Sequence, residues 1–300
     1  MLPDGKPRHA FVPQSGTLEQ EESVLILATR GSALALAQAE LVKKKLEDAG
    51  ETVTILPVVT KGDRDRNRPL TEIGGDGLFI REIERVLLRG EADLAVHSAK
   101  DLPYVLAEGL VIGGVPDAGD PRDCLVTREE LCRVHLVATG SPRRIEEYRR
   151  LNPAAEFTGI RGNVNTRIQR LREGRADALI LAKAGLERLM PDLSGLSVRC
   201  FTPDEMIPAP CQGILAAECR ENDGRTRALL EAITDREAAR RFETERYLFR
   251  RLQADCAMPV GVYAEFRGEK LILRVRFGAR RIVKQGLAED RIALCEEILA

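Results

Sequence analysis

The feature that most limits this chain is a repeated succession of a short apolar run, a polar turn and then helical spacing. Residues 24–29 (VLILAT) are apolar and brief, as a buried strand is. Arg30, Gly31 and Ser32 break the run, with Ser32 placed as a helix N-cap. Leu34, Ala37, Leu41 and Ala49 then keep helical spacing until Gly50 stops it. Residues 52–60 (TVTILPVVT) are β-rich, and Pro57 predicts an edge strand or an irregularity there. A glycine-containing loop ends at 77 and a helix is predicted over 78–88. A strand at 93–96 then opens into His97-Ser98-Ala99-Lys100-Asp101. Alternation of this kind implies parallel βαβ units.

A second series begins near Asp120. Strands are predicted at 135–138, 157–160 and 177–182, with helices opening at TGSPRR, where Pro142 suits a first helical turn, and at RGNVNTR. The Pro-rich stretch 203–213 (PDEMIPAPCQG) predicts a crossing between domains. The last segment differs in style. Thr234-Asp235-Arg236-Glu237 has capping-box spacing ahead of a long helix to about 254, strands are predicted at 260–266 and 270–277, and a helix from about 289. The predicted division is a flexible tail at 1–23, a first α/β domain over 24–116 and 214–231, a second over 122–207, and a small α+β domain over 236–300. With 300 residues, 44% of them apolar, the chain can bury several cores.

Composition excludes several function classes. No apolar run approaches the ~20 residues of a membrane span, and residues 1–22 lack the pattern of a secretory signal, so neither a membrane nor a periplasmic role is expected. A net charge of −1 disfavours general nucleic-acid binding, including an RNA-binding reading of the arginine-rich stretch 143–175. Seven cysteines with no CxxC argue against a disulfide framework or a zinc site and fit a reducing cytoplasm. Three histidines and no HExxH leave no metal site in the expectation.

Three constellations could carry chemistry. Residues 143–175 hold nine arginines against four carboxylates, Glu146, Glu147, Glu156 and Glu173. Arg30, Arg143, Arg144 and Arg161 fall at strand-to-helix junctions, where open α/β sheets bind ligands and helix N-termini favour anions. Arg149, Arg150, Arg170 and Arg172 read instead as solvated helix faces. Asp101 follows a strand, so it is either a cleft acid or base or an ordinary turn residue. Cys256, in ADCAMPVG, reads on its own as a half-buried thiol, because Asp255 is the wrong neighbour for a low-pKa nucleophile. GGDG at 74–77 lacks the GK[ST] ending of a P-loop.

In order along the chain stand LATRGSALALAQAE, GGDGLFIREIE, ADLAVHSAKDLP, DPRDCLV, ATGSPRR, IRGNVNTRI, DALILAKAGLERL, PAPCQG and ADCAMPVGVYAE. This set resembles the porphobilinogen deaminase family from about residue 24 to 277. The resemblance implies two periplasmic-binding-protein-like α/β domains around a cleft plus a small C-terminal α+β domain. It implies a cytoplasmic monomer that takes porphobilinogen and joins four units of it, with loss of ammonia, into hydroxymethylbilane for tetrapyrrole and haem biosynthesis. It also implies a dipyrromethane cofactor joined by a thioether to Cys256. Asp101 matches the family's catalytic acid. Arg30, Ser32, Lys100, Arg143, Arg144, Arg161, Arg167 and Arg188 match positions that bind cofactor or substrate carboxylates, and Ser98, Thr139, Ser141, Asn163 and Gln212 match polar positions lining the cleft. Asp76 stands where the family usually has Lys. The alternatives are a catalytically impaired homologue and a type-II two-domain binding protein for an anionic ligand.

Overall fold

In a computed structural model, the structure describes residues 24–60, 80–103, 105–129, 133–253 and 258–300. The tail at 1–23, the glycine loop with Asp76, and Cys256 itself lie outside the described residues. The first sheet contains β1 (Leu25–Arg30), β2 (Val53–Val58), β3 (Leu94–Ser98), β4 (Leu110–Ala118) and β10 (Ile214–Arg220), in the order β2-β1-β3-β10-β4. β1 pairs in parallel with β2 and β3, and β10 runs antiparallel between β3 and β4. Helices α1 (Ala33–Asp48), α2 (Arg81–Leu88) and α6 (Gly224–Ala232) cover this sheet. Pro57 sits in β2 at the sheet edge, where a missing N–H costs no central ladder bond.

The second sheet contains β5 (Asp123–Arg128), β6 (Leu136–Ala138), β7 (Glu156–Thr158), β8 (Ala178–Ala182) and β9 (Leu196–Cys200), in the order β7-β6-β8-β5-β9. Its helices are α3 (Pro142–Leu151), α4 (Val164–Arg172) and α5 (Lys183–Leu189). Its layout repeats that of the first sheet. Three parallel strands run in the order second, first, third, then an antiparallel strand is inserted, then a fourth. The inserted strands tie the halves together, since β5 follows directly on the first sheet's β4 and β10 follows the second sheet's β9.

The chain therefore passes between the sheets twice, at 119–122 and at 201–213. Gly119 N–H donates to the Gly213 carbonyl at 2.9 Å where the passages meet. Gly213 has φ +88°, and a Cβ there would lie 2.5 Å from the Gly119 carbonyl oxygen, so both the backbone angle and the space require glycine.

The third sheet is an antiparallel meander of β11 (Val260–Arg267), β12 (Lys270–Phe277) and β13 (Arg280–Leu287). It packs its own apolar core against α7 (Arg236–Arg251) and α8 (Arg291–Leu299). Five strands go beyond the sequence expectation: β4, β5, β9, β10 and β13. β13 is an edge strand of polar alternation, while β4 carries Gly113, Gly114 and Pro116, which weaken a strand signal. Gly114 is there for close approach, because a Cβ would meet the Leu230 carbonyl at 2.4 Å. The capping box also shifts by one residue. Asp235, not Thr234, caps α7 through Glu237 N–H and Ala238 N–H, and Thr234 Oγ1 bonds Val115 N–H and the Leu230 carbonyl instead.

Candidate active site

The site is assembled where strands of both sheets end. β3 runs out of the first sheet's core through the buried His97, whose Nε2 lies 2.9 Å from Glu218 Oε2, into a single 3-10 turn, Ala99–Asp101. Asp101 is exposed on that turn and Lys100 beside it is half-buried. Behind them, Arg246 of α7 donates to the carbonyls of Leu102 (3.3 Å) and Pro103 (2.6 Å), fixing the backbone just after Asp101. A pocket lies between this turn and α1, lined in part by Arg30, Ser32, Gln38, Ser98 and Asp101. Gln38 and Ser98 hold one another at 2.9 Å, and Ser32 Oγ accepts from Ala35 N–H as the α1 cap.

The second sheet presents a different surface. Asp123 opens β5 and is fully buried. Its Oδ2 accepts from Arg143 Nη1 at 2.7 Å, and its Oδ1 accepts from Arg144 Nε at 2.9 Å. Arg143 Nη1 also donates to the Ile207 carbonyl (2.7 Å) and Arg144 Nη1 to the Ile180 carbonyl (2.8 Å). Both arginines come from the first turn of α3, capped by Ser141 with Pro142 at its start. Burial alone would raise the Asp123 carboxyl, but Arg143 and Arg144 hold it well below the usual carboxylate range.

The two surfaces act on each other. Burial brings Lys100 down to about 8, with Arg144 and Arg143 adding to the drop and Asp101 and Asp123 opposing it. Burial brings Arg167 of α4 down to about 10; Arg144 lowers it further and Asp101 opposes that. Lys100 and Asp101 from the first sheet thus share one field with Asp123, Arg143, Arg144 and Arg167 from the second. Four cations face two carboxylates, and Asp123 is already engaged by arginines. Cations thus outnumber carboxylates in this cluster, and guanidinium groups pair carboxylates and phosphates well.

The remaining expected site residues lie elsewhere in the frame. Thr139 is buried and its Oγ1 accepts from Ser141 N–H (3.2 Å). Asn163 caps α4 through Thr166 N–H (2.9 Å), and Arg161 on the preceding loop gives its carbonyl to Arg170. Arg188 and Gln212 sit at the crossings. Arg188 Nη2 bonds Asp117 Oδ2 and the Gly213 carbonyl, each at 2.6 Å, and Gln212 Nε2 bonds the Pro121 carbonyl at 2.6 Å. Arg149 and Arg150 are exposed, as their helix-face reading expected. Asp123, which accepts from both arginines, is not among the residues the sequence singles out. The only sequence signal for it is an acid in DPRDCLV, the stretch that begins the second unit.

This is a mixed α/β fold with a cluster of cations at strand ends of two sheets. The family profile described as porphobilinogen deaminase, dipyromethane cofactor binding domain, matches residues 25–228. A porphobilinogen deaminase of Roseiflexus sp. (strain RS-1) is 40% identical over 294 residues, which span 93% of this chain and 96% of the relative. The chain belongs to the porphobilinogen deaminase family. Its activity is hydroxymethylbilane synthesis, a transferase reaction of tetrapyrrole biosynthesis that takes porphobilinogen as substrate. This sets aside the binding-protein alternative.

Among solved structures, the periplasmic VFT2 domain of Bordetella pertussis BvgS aligns over 70% of this chain and 86% of its own, at 15% identity and a TM-score of 0.42. A periplasmic binding protein of Salmonella typhimurium, described by its high arginine specificity, aligns over 72% and 93%, at 10% identity and 0.41. At those scores nothing about this chain's ligand follows from either. Among the described residues, no helix is long and apolar enough to cross a membrane.

Proposed function

We propose that Asp101 is the catalytic acid of this deaminase, that Cys256 carries the dipyrromethane, and that Lys100, Arg143, Arg144, Arg161 and Arg167 hold the carboxylates of cofactor and growing chain. Arg30, Ser32 and Ser98 line the end of the cleft on the first sheet, while Thr139, Ser141, Asn163, Arg188 and Gln212 support its frame. The observation that carries this reading is the pair of buried arginines, Arg143 and Arg144, clamped on Asp123 at 2.7 and 2.9 Å, together with the exposed Asp101 on a turn beside a pocket. We read the three sheets as three domains, 24–116 with 214–231, 122–207 and 236–300, acting in a cytoplasmic monomer that binds neither nucleic acid nor membrane.

The donor chemistry fits the cofactor, since each pyrrole unit brings an acetate and a propionate and the site offers cations in excess. When bound, the dipyrromethane supplies the pyrrole end to which the next unit is joined. This chain's residues do the rest. Arg143, Arg144 and Arg167 hold carboxylates by charge-assisted hydrogen bonds, and the buried Asp123 keeps Arg143 and Arg144 in place. As ammonia leaves, positive character develops on the incoming pyrrole. The Asp101 carboxylate lies on a turn held from behind by Arg246, so it stabilises that charge without rearranging, and its oxygen can take and return the pyrrole N–H proton.

A thioether on Cys256 would keep the chain in place between additions and make each step effectively intramolecular. The test is the intact mass of the purified protein. A mass excess equal to two pyrrole units, lost in Cys256→Ser with folding retained, is expected. An adduct that survives the change, or maps to another cysteine, would overturn the assignment.

A further inference from the structure

We infer that Cys124 and Cys200 form a site of reversible oxidation, closing to a disulfide that staples both crossings between the sheets. The two are register partners on neighbouring antiparallel strands, Cys124 on β5 and Cys200 on β9. Their sulfurs lie 2.7 Å apart, and both are free thiols. Phe201 N–H donates to the Asp123 carbonyl at 2.9 Å, which makes Asp123–Phe201 a hydrogen-bonded pair. Bonded and non-bonded pairs alternate along an antiparallel ladder, so Cys124–Cys200 is non-bonded. In such a pair the Cα atoms are ~4.5 Å apart and the side chains closest. That separation falls at the short end of the ~4.4–6.8 Å that a disulfide spans.

The surroundings give the two thiols different roles. Cys124 is fully buried, whereas Cys200 is partly open to solvent and is reached first. Arg122 and Lys183 act electrostatically on both sulfurs. Burial pushes the Cys124 thiol up, which suits it to resolve rather than to attack first. The oxidant is a peroxide. Cys200 sulfur attacks it, the O–O bond breaks, and Cys200 becomes a sulfenic acid with release of one water. Cys124 sulfur then attacks the sulfenic sulfur, the S–S bond forms, and the S–O bond breaks with release of a second water. Two thiols are oxidised and one peroxide is reduced to two waters.

The position gives the link its consequence. The crossing 119–122 enters the second sheet just before Cys124, and the crossing 201–213 leaves it just after Cys200. A disulfide here joins the second-sheet ends of both connections, next to Asp123. Both cysteines lie outside the proposed machinery.

The test treats the full-length purified protein with hydrogen peroxide, blocks remaining thiols, and digests it without reduction. The expected product is one cross-linked peptide joining Cys124 to Cys200, two hydrogens lighter than the separate pair. It should be removed by a thiol reductant and be absent in Cys200→Ser. Peptides spanning 201–213 should exchange their amide hydrogens more slowly in the oxidised protein, and Cys200→Ser should show no such change. Recovery of Cys124 and Cys200 blocked separately, as in untreated protein, would overturn the site. A cross-link that leaves exchange over 201–213 unchanged would overturn the stapling.

Discussion

The two five-stranded sheets share one strand layout yet put opposite chemistry at their strand ends. The first ends β3 in a 3-10 turn that leaves Asp101 exposed beside a pocket. The second opens β5 on a fully buried Asp123 clamped by Arg143 and Arg144. Topology thus repeats between the sheets, while the residues at the strand ends decide the chemistry each one presents. An exposed carboxylate is free to act on a changing charge. A carboxylate spent on two arginines serves to hold them still.

Breaking the clamp should have the largest effect on stability. In Asp123→Asn, two buried guanidinium groups lose their counter-charge, and removing one partner of a buried pair costs about 3–5 kcal/mol. Thermal unfolding should show a clear drop in Tm, and a Tm equal to that of the parent would mean the pair is not locked. Asp101→Asn should do the reverse, leaving Tm near the parent value while porphobilinogen consumption falls ~10²–10³-fold through loss of one electrostatic stabiliser. If stability falls with activity, the turn is structural and the contrast between the sheets fails.

Smaller changes sharpen the same comparison. Arg167→Gln should weaken retention of the growing chain by about 1.5–3 kcal/mol, the worth of a charge-assisted hydrogen bond. Arg149→Ala should cost under about 1 kcal/mol, since its 2.7 Å pair with Glu146 is exposed. Equal losses of elongation intermediates, read by mass, would point to general charge rather than to a defined site.

The weakest effect should be a pH dependence from Lys100. Burial puts its pKa near 8, below the ordinary lysine value, so the folded chain binds fewer protons than the unfolded one from about pH 8 up to ~10.4, and this lysine's share of stability rises with pH across that window. Anion binding runs the other way, because it needs the ammonium. KM for porphobilinogen should rise as pH passes 8, and Lys100→Arg should flatten the profile, because a guanidinium does not titrate there. A parent profile that is flat from pH 7 to about 9 would remove Lys100 from the site.

Much of the first sheet could be read from the sequence, because β1, α1 and β3 carry their signals locally in apolar runs and an N-cap serine. The strands that make each sheet five-stranded could not. β10 is buried along most of its length only because β3 and β4 flank it, and its partners lie about a hundred residues upstream. Glycines that permit close packing in β4 also erase its strand pattern. At the site, arginine position was informative but arginine partnership was not. Nothing near Arg143 or Arg144 in sequence indicates that Asp123, some twenty residues upstream, takes them both. Ser141 and Asn163 entered only as cleft-lining positions that the family resemblance implies, and the folded backbone shows them capping α3 and α4.

Labour is divided between the sheets: the second holds the anionic chain, and the first sheet's acid does the chemistry. Intact-mass analysis of Asp101→Asn and Arg144→Gln, each incubated with porphobilinogen, tests it most directly. Asp101→Asn should carry the full primer mass but not gain further units at the parent rate. Arg144→Gln should lack the primer or carry it in a reduced fraction. Two variants with the same mass pattern, or an Asp101→Asn protein that elongates like the parent, would contradict it.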